Sequence, residues 1–162
     1  MTLTADELLP VDPDLPEERL GSRLRPGILA AIAAGGALGG AARYLLEQAA
    51  PAAKDGVPWA TFGINVSGSL ALAVLLVFVR EVWPPTRYVR PFAAVGFLGA
   101  YTTFSTWMVQ TAELAAHGRA GVAVGYLAGS LVAGLAAVSF GLVLGRAVLA
   151  RRTLRVAEEI PG

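Results

Sequence analysis

The chain has 162 residues, 55% of them apolar and only 15% charged, with a formal net charge of +1 at pH 7. Soluble domains carry roughly 25% charged residues, and the mean hydropathy here is positive, so the composition is that of a membrane protein. There is no cysteine and a single histidine, His117, which excludes disulfides, thiolate metal sites, cysteine nucleophiles and a histidine metal cluster; the near-zero net charge points away from a nucleic-acid partner.

Residues 1–26 are polar, acidic and proline-containing (Pro10, Pro13, Pro16). They lack the basic start and apolar core of a secretory signal and read as a flexible tail. Residues 27–46 form the first expected span, since about 20 apolar residues cross the hydrocarbon core. Its Gly35-Gly36 and Gly39-Gly40 pairs lower helix propensity but let another backbone approach closely. Arg43 follows near the far end of that span. It is either an arginine that snorkels to the interface or a buried structural or pore-mouth cation.

The second expected span covers 57–79, with Trp59 at its entry as an interfacial anchor. Asn65 and Ser69 lie one helical turn apart on one face, near Gly68. An amide inside a span is costly without a partner. Asn65 therefore either bonds a neighbouring helix or offers its NH₂ to a bound or permeating group. A basic loop with Pro84-Pro85 leads to the third expected span, 91–112.

That span holds the least lipid-like stretch, Gly96-Phe97-Leu98-Gly99-Ala100-Tyr101-Thr102-Thr103-Phe104-Ser105-Thr106-Trp107. Small residues followed by β-branched hydroxyls suggest an interrupted helix, and irregular backbone in a membrane must be buried in protein or line a polar cavity. The alternative is a continuous helix whose small residues serve packing. Phe104 and Trp107 are spaced i, i+3, compatible with packing or with a site. After a short polar turn containing His117, the fourth span runs over 120–145. Gly121, Gly125 and Gly129 repeat the small-residue spacing, and Tyr126 and Ser130 form a second polar track at i, i+4. Residues 146–162, basic and then acidic, are expected to be a tail.

Four spans put both termini on one side. That side collects Arg19, Arg23, Arg25, Arg80, Arg87, Arg90, Arg146, Arg151, Arg152 and Arg155, against Lys54 and Arg119 opposite and Arg43 near the edge. The positive-inside rule then makes both termini cytoplasmic, in the cell membrane. No span carries Asp or Glu at mid-depth, which argues against a proton-coupled pump. The polar groups inside the spans are Asn65, Ser69, Thr102, Thr103, Ser105, Thr106, Gln110, Tyr126 and Ser130. Each can donate a hydrogen bond without bringing negative charge, and aromatic edges are partly positive. Such a set suits a small anion, while the carbonyls freed at a helix break suit a cation such as Na⁺.

These residues resemble the CrcB/Fluc fluoride channels of bacteria over about 27–145. The motifs are Gly35-Gly36, Gly39-Gly40 with Arg43-Tyr44; Thr61, Asn65, Gly68 and Ser69; the run Gly99 to Thr106; and Tyr126 with Ser130. The resemblance implies an all-α integral membrane protein with four transmembrane helices per subunit, the third broken at mid-membrane, in an antiparallel dimer embedded in lipid. It implies one structural, non-transported Na⁺ held by backbone carbonyls, here those of Gly99 and Thr102. It implies a fluoride pathway past Asn65, Ser69, Thr103, Phe104, Thr106, Trp107, Tyr126 and Ser130, with passive export of fluoride that enters as HF. It does not imply an enzyme.

Three departures stand out. The second pathway phenylalanine is Trp107, larger and with an N–H donor, so the pathway it lines is expected to be altered or inactive in this subunit. The usual Gly-Gly is Gly99-Ala100. The charge bias is ten against three at most, whereas a subunit that inserts both ways should have little. The chain is therefore expected to pair with an oppositely oriented homologous subunit. The competing classes are a non-conducting structural membrane subunit and a small multidrug-type exporter. The exporter would want a carboxylate in the first span, which has none before Glu47.

Overall fold

The computed structural model describes residues 26–52, 56–81 and 87–158; the expected tail before Pro26 and the loop cation Lys54 lie outside them. Among the described residues all regular structure is helical. Helix α1 is Pro26–Ala49 and α2 is Trp59–Glu81. Helix α3 begins as the π-wound stretch Arg90–Leu98 and ends with one α-turn, Gly99–Tyr101. Helix α4 is Ser105–Ala116 and α5 is Ala120–Glu158. Four segments are long and apolar enough to cross a membrane: Pro26–Ala49, Trp59–Val79, Arg90–Ala116 and Ala120–Arg151.

Helix α1, the α3–α4 segment and α5 extend beyond the bounds expected from hydropathy alone, whereas α2 is shifted two residues later than 57–79. The largest difference is at the end, where α5 continues past Gly145 to Glu158. Its 39 residues make a rod roughly 58 Å long. Residues 146–158 are good helix formers without Gly or Pro, and a helix already nucleated extends at little cost. Hydropathy reports where apolar sequence stops, not where helix stops.

The helices pack as two close pairs. In the first, α1 lies against α3 through its glycines. A Cβ on Gly35 would meet the Phe92 carbonyl, and one on Gly39 the Phe97 carbonyl. From the other side, a Cβ on Gly96 would meet the Ile32 carbonyl, with the Gly35 Cα 3.0 Å away. The two backbones are in direct contact, which only the missing side chains permit. In the second pair, α2 lies against α5. Ala73 and Val77 are buried there, and Gly141 and Gly145 of α5 sit against Ala73, Leu70 and Val77. At one end, Leu114 of α4 with Ala123 and Tyr126 of α5 form a small buried cluster, flanked by Val57, Phe62, Trp107 and Val122.

The outer faces are apolar and uncovered, with Val132, Leu135, Phe140 and Val143 of α5 all exposed. In a chain with four such spans these side chains meet lipid or another subunit. The described core is correspondingly thin, and helix–helix backbone contact carries much of the packing.

The glycine contacts give a direct test. Gly39→Ala drives a methyl group into the Phe97 carbonyl and should lower stability by roughly 1–3 kcal/mol, despite alanine's better helix propensity. Gly121→Ala, at a position with nothing within 4 Å of the added Cβ, should be neutral or slightly stabilising. Thermal unfolding in detergent compares the two. Equal midpoints would contradict the close α1–α3 approach.

Candidate functional site

The site grows from the end of α3. Thr102 leaves helical geometry at φ −80°, ψ 157°, and helix resumes at Ser105. Thr102 still closes the last turn, its N–H and its hydroxyl both donating to the Leu98 carbonyl at 3.0 and 2.9 Å. The next residue turns elsewhere. The Thr103 N–H donates to Asn65 Oδ1 at 2.9 Å, and Asn65 Nδ2 donates to the Thr103 carbonyl at 2.9 Å. One side-chain amide from α2 thus satisfies both main-chain groups of Thr103, as a neighbouring strand would. This is the neighbouring-helix partner open to Asn65 from its sequence position. Because an NH₂ carries two donors, one N–H of Asn65 is not used in that pair.

The Thr103 hydroxyl organises the start of α4. It accepts from the Thr106 N–H at 3.2 Å and donates to Thr106 Oγ1 at 3.0 Å, with Ser105 Oγ at 3.4 Å. A hydroxyl accepting an early helical N–H does the work of a cap. Gly68 lets this region sit down on α2, since a Cβ there would meet the Thr102 methyl group.

A cavity of about 410 Å³ lies between α2, the α3–α4 junction and α5. Its wall brings together Asn65, Ser69, Gly99, Thr102, Thr103, Phe104, Trp107 and Ser130, with leucine, alanine and valine side chains between them. None of the lining residues is ionisable. Eight of the residues singled out in the sequence therefore meet at one place. Phe104 is 70% exposed beside it, its ring edge-on to Trp107 with centroids 5.6 Å apart and planes at 77°.

Three residues singled out in the sequence are not in that wall. Thr106 reaches it only through Thr103. Tyr126 is buried at 5% exposure and donates to Gln110 Oε1 at 3.1 Å, joining α5 to α4. Arg43 is half-buried on α1, with its Nε buried and without a partner, as is Oε1 of Glu47 one turn on. Sequence reading missed the bond of 3.0 Å between Ser67 Oγ and the Tyr101 hydroxyl, because neither position carries a helical-face signal toward the other. Thr61, which the sequence offers only as part of the second-span motif, is buried on α2 at 1% exposure.

Against this geometry, known proteins are informative. Residues 30–142 match the family described as CrcB-like protein, Camphor Resistance (CrcB). The chain belongs to the CrcB/FluC family. It is 61% identical over 131 residues, 81% of this chain, to the fluoride-specific ion channel FluC 3 of Streptomyces avermitilis; that match covers 64% of the relative's own length. It is 48% identical to FluC 2 of Nocardia farcinica, over 73% of this chain and 84% of that one. It is 43% identical to FluC 2 of Streptomyces avermitilis, over 77% and 79%. Members of the CrcB/FluC family are ion channels rather than enzymes, and this chain is a multi-pass membrane protein of that family.

The Asn65–Thr103 pair can be tested on its own. Asn65→Leu keeps the bulk but leaves two main-chain groups unpaired, which should cost roughly 2–4 kcal/mol. Hydrogen exchange around Thr103 should accelerate in that variant. Ser67→Ala should change neither stability nor exchange there by a comparable amount. Unchanged exchange at Thr103 in Asn65→Leu would show that the amide does not hold this backbone.

Proposed function

We propose that this chain is a subunit of a fluoride-specific channel that lowers cytoplasmic fluoride by passive efflux. The observation that carries the reading is the cavity wall. It presents neutral donors and an aromatic edge, with no carboxylate to repel an anion and no lysine or arginine to trap one. Relatives in the same family are named fluoride-specific ion channels. A small, strongly hydrated anion gives up water only for a replacement set of donors, and the remaining Asn65 N–H, Ser69 and Ser130, with the Phe104 ring, are that set, while Thr103 lines the route with its own hydrogens spent on Asn65 and Thr106. Thr106 and Tyr126 support it, through Thr103 and Gln110, and Arg43 stands toward one mouth.

The α3–α4 junction is proposed as a break at mid-membrane with a structural Na⁺. In a continued helix, Gly99 O would accept from the Thr103 N–H and Thr102 O from the Thr106 N–H. Those donors are taken by Asn65 Oδ1 and Thr103 Oγ1. Both carbonyls thus lack the helical donor, and a hard cation takes oxygen ligands of this kind. When bound, the ion would supply charge to hold the freed carbonyls together. Two carbonyls do not complete its oxygen shell, so an oppositely oriented second subunit would provide the rest.

That second subunit is proposed to be a homologue rather than a second copy. The arginine bias, ten against three at most, fixes one orientation with both termini cytoplasmic in the cell membrane. Streptomyces avermitilis has both a FluC 2 and a FluC 3, so more than one homologue occurs in a single organism. Reconstitution in liposomes tests the whole reading. This chain with a homologous partner should release fluoride rapidly in the presence of Na⁺ and release no chloride. This chain alone should release little. Rapid release from the chain alone would overturn the partner assignment, and no fluoride release under either condition would overturn the channel.

A further inference from the structure

The two residues that flank Thr102 are each tied to α2. Thr103 is held through its main chain by Asn65. Tyr101 is held through its side chain by Ser67, with 3.0 Å between the two hydroxyl oxygens. Ser67 Oγ also donates to the Ile64 carbonyl at 3.2 Å. A serine has one hydroxyl hydrogen, so once it is spent on Ile64 the Tyr101 O–H is the donor to Ser67. The relay runs in one direction, from Tyr101 to Ser67 to the main chain of α2.

The Tyr101 ring is held as well. It stacks on Phe97, one turn back, with centroids 5.9 Å apart and planes at 12°. Gly68 makes room for it, since a Cβ there would come within 3.3 Å of Tyr101 Cδ1. The Phe97 carbonyl in turn lies against Gly39 of α1. Tyr101 thus links the α1–α3 pair to the α2–α5 pair at the last turn of α3. Its hydroxyl sits within a span, where there is no water to replace the bond to Ser67.

Between the two ties stands the Thr102 carbonyl. Its direction is that of the peptide plane joining Thr102 to Thr103, and rotation about the Thr102 φ and ψ is the only soft freedom that plane has. Asn65 fixes one side of that rotation and Tyr101 the other. The carbonyl lacks its helical donor, because the Thr106 N–H is taken by Thr103 Oγ1. An oxygen ligand serves a hard cation best when its geometry is set in advance by the residues around it.

We infer that Tyr101 is a positioning residue for the cation site proposed at the α3–α4 junction: through Ser67 it holds the last turn of α3 in register with α2 and so keeps the Thr102 carbonyl in one direction. The inference rests on the proposed Na⁺ reading and adds to it a residue that is not itself a ligand. Tyr101 does not line the cavity, so its part is separate from anion passage.

The test uses this chain purified together with the homologous subunit of the liposome assay. Thermal unfolding is followed as Na⁺ replaces N-methylglucamine at constant ionic strength. The wild-type midpoint should rise saturably with Na⁺. Tyr101→Phe keeps the ring stack and removes the hydroxyl, and should raise the Na⁺ concentration needed for half of that rise about fivefold, as expected for one lost hydrogen bond. Ser67→Ala should do the same, the double variant should go no further, and Ser67→Thr should match the wild type. Tyr88→Phe, which removes a hydroxyl far from the junction, should leave the Na⁺ requirement unchanged. A merely structural bond would lower the midpoint equally at every Na⁺ concentration. That result, or effects of Tyr101→Phe and Ser67→Ala that add, overturns the inference. At saturating Na⁺ the Tyr101→Phe protein should release fluoride as fast as the wild type; slow release there would place Tyr101 in the anion route and overturn its positioning role. A wild-type midpoint that ignores Na⁺ overturns the cation site and this inference together, whereas a Na⁺-dependent rise without flux keeps the inference and removes the channel.

Discussion

The interaction on which the rest depends is the pairing of the Asn65 amide with both main-chain groups of Thr103, two bonds of 2.9 Å across 38 residues of sequence. A transmembrane helix cannot simply stop, because unpaired N–H and C=O groups have no water to turn to. An interruption is stable only when something else supplies the pairing. Asn65 is suited to this because a primary amide offers a donor and an acceptor at the spacing of a peptide group. Once Thr103 is committed to α2, the Gly99 carbonyl loses its helical donor, Thr103 Oγ1 is placed to start α4, and Phe104 is turned outward. The position of the cavity, its donors and its aromatic edge all follow from that one pair.

The glycines act on the same region from the other side. Gly35, Gly39 and Gly96 bring the α1 and α3 backbones into contact, so α3 is clamped from behind. Gly68 lets the junction settle onto α2. The π-wound path of Arg90–Leu98, in which the Gly99 N–H reaches back to the Ala94 carbonyl, ends where the clamp ends. Wide turns of this kind are concentrated at functional positions. The closest backbone packing therefore lies just before the α3–α4 junction, while the outer face of α5 is exposed.

Much of this was legible in the residues. The spans were readable because apolar length is fixed by bilayer thickness, and the meeting of Asn65, Ser69, Thr102, Thr103, Phe104, Trp107 and Ser130 was readable because each is a polar or aromatic departure from a lipid-like background. What sequence could not show was pairing. Nothing in the spacing of Asn65 says that its partner is the backbone of Thr103. Nothing in the i, i+4 spacing of Tyr126 and Ser130 says that the first turns to Gln110 while the second faces the cavity. Side chains on one helical face still diverge by a full turn, about 5.4 Å along the axis, and the neighbouring helix decides which is used where. The continuation of α5 past Gly145 was hidden for a different reason. Hydropathy marks the edge of the membrane, and a helix of Ala, Leu, Val and Arg does not need to end there.

In the proposed channel, the absence of charge from the cavity wall is the constraint that would tie structure to selectivity. A lysine or arginine in the wall would bind an anion tightly in a low-dielectric space and slow its departure. A carboxylate would exclude it. Neutral donors give intermediate attraction, and their strength falls with the size of the anion because a larger ion spreads its charge and cannot meet several short donors at once. Conduction needs binding that is favourable enough to enter and weak enough to leave. In the proposed pathway only donors that keep a hydrogen free would meet both conditions, which leaves out the wall hydroxyls of Thr102 and Thr103, spent on the Leu98 carbonyl and on Thr106. Hydroxyls that fold back onto their own helix, as Thr111 and Ser139 do, are lost to it. The selectivity of such a wall therefore depends less on how many polar residues the spans contain than on how many are denied a partner within the protein.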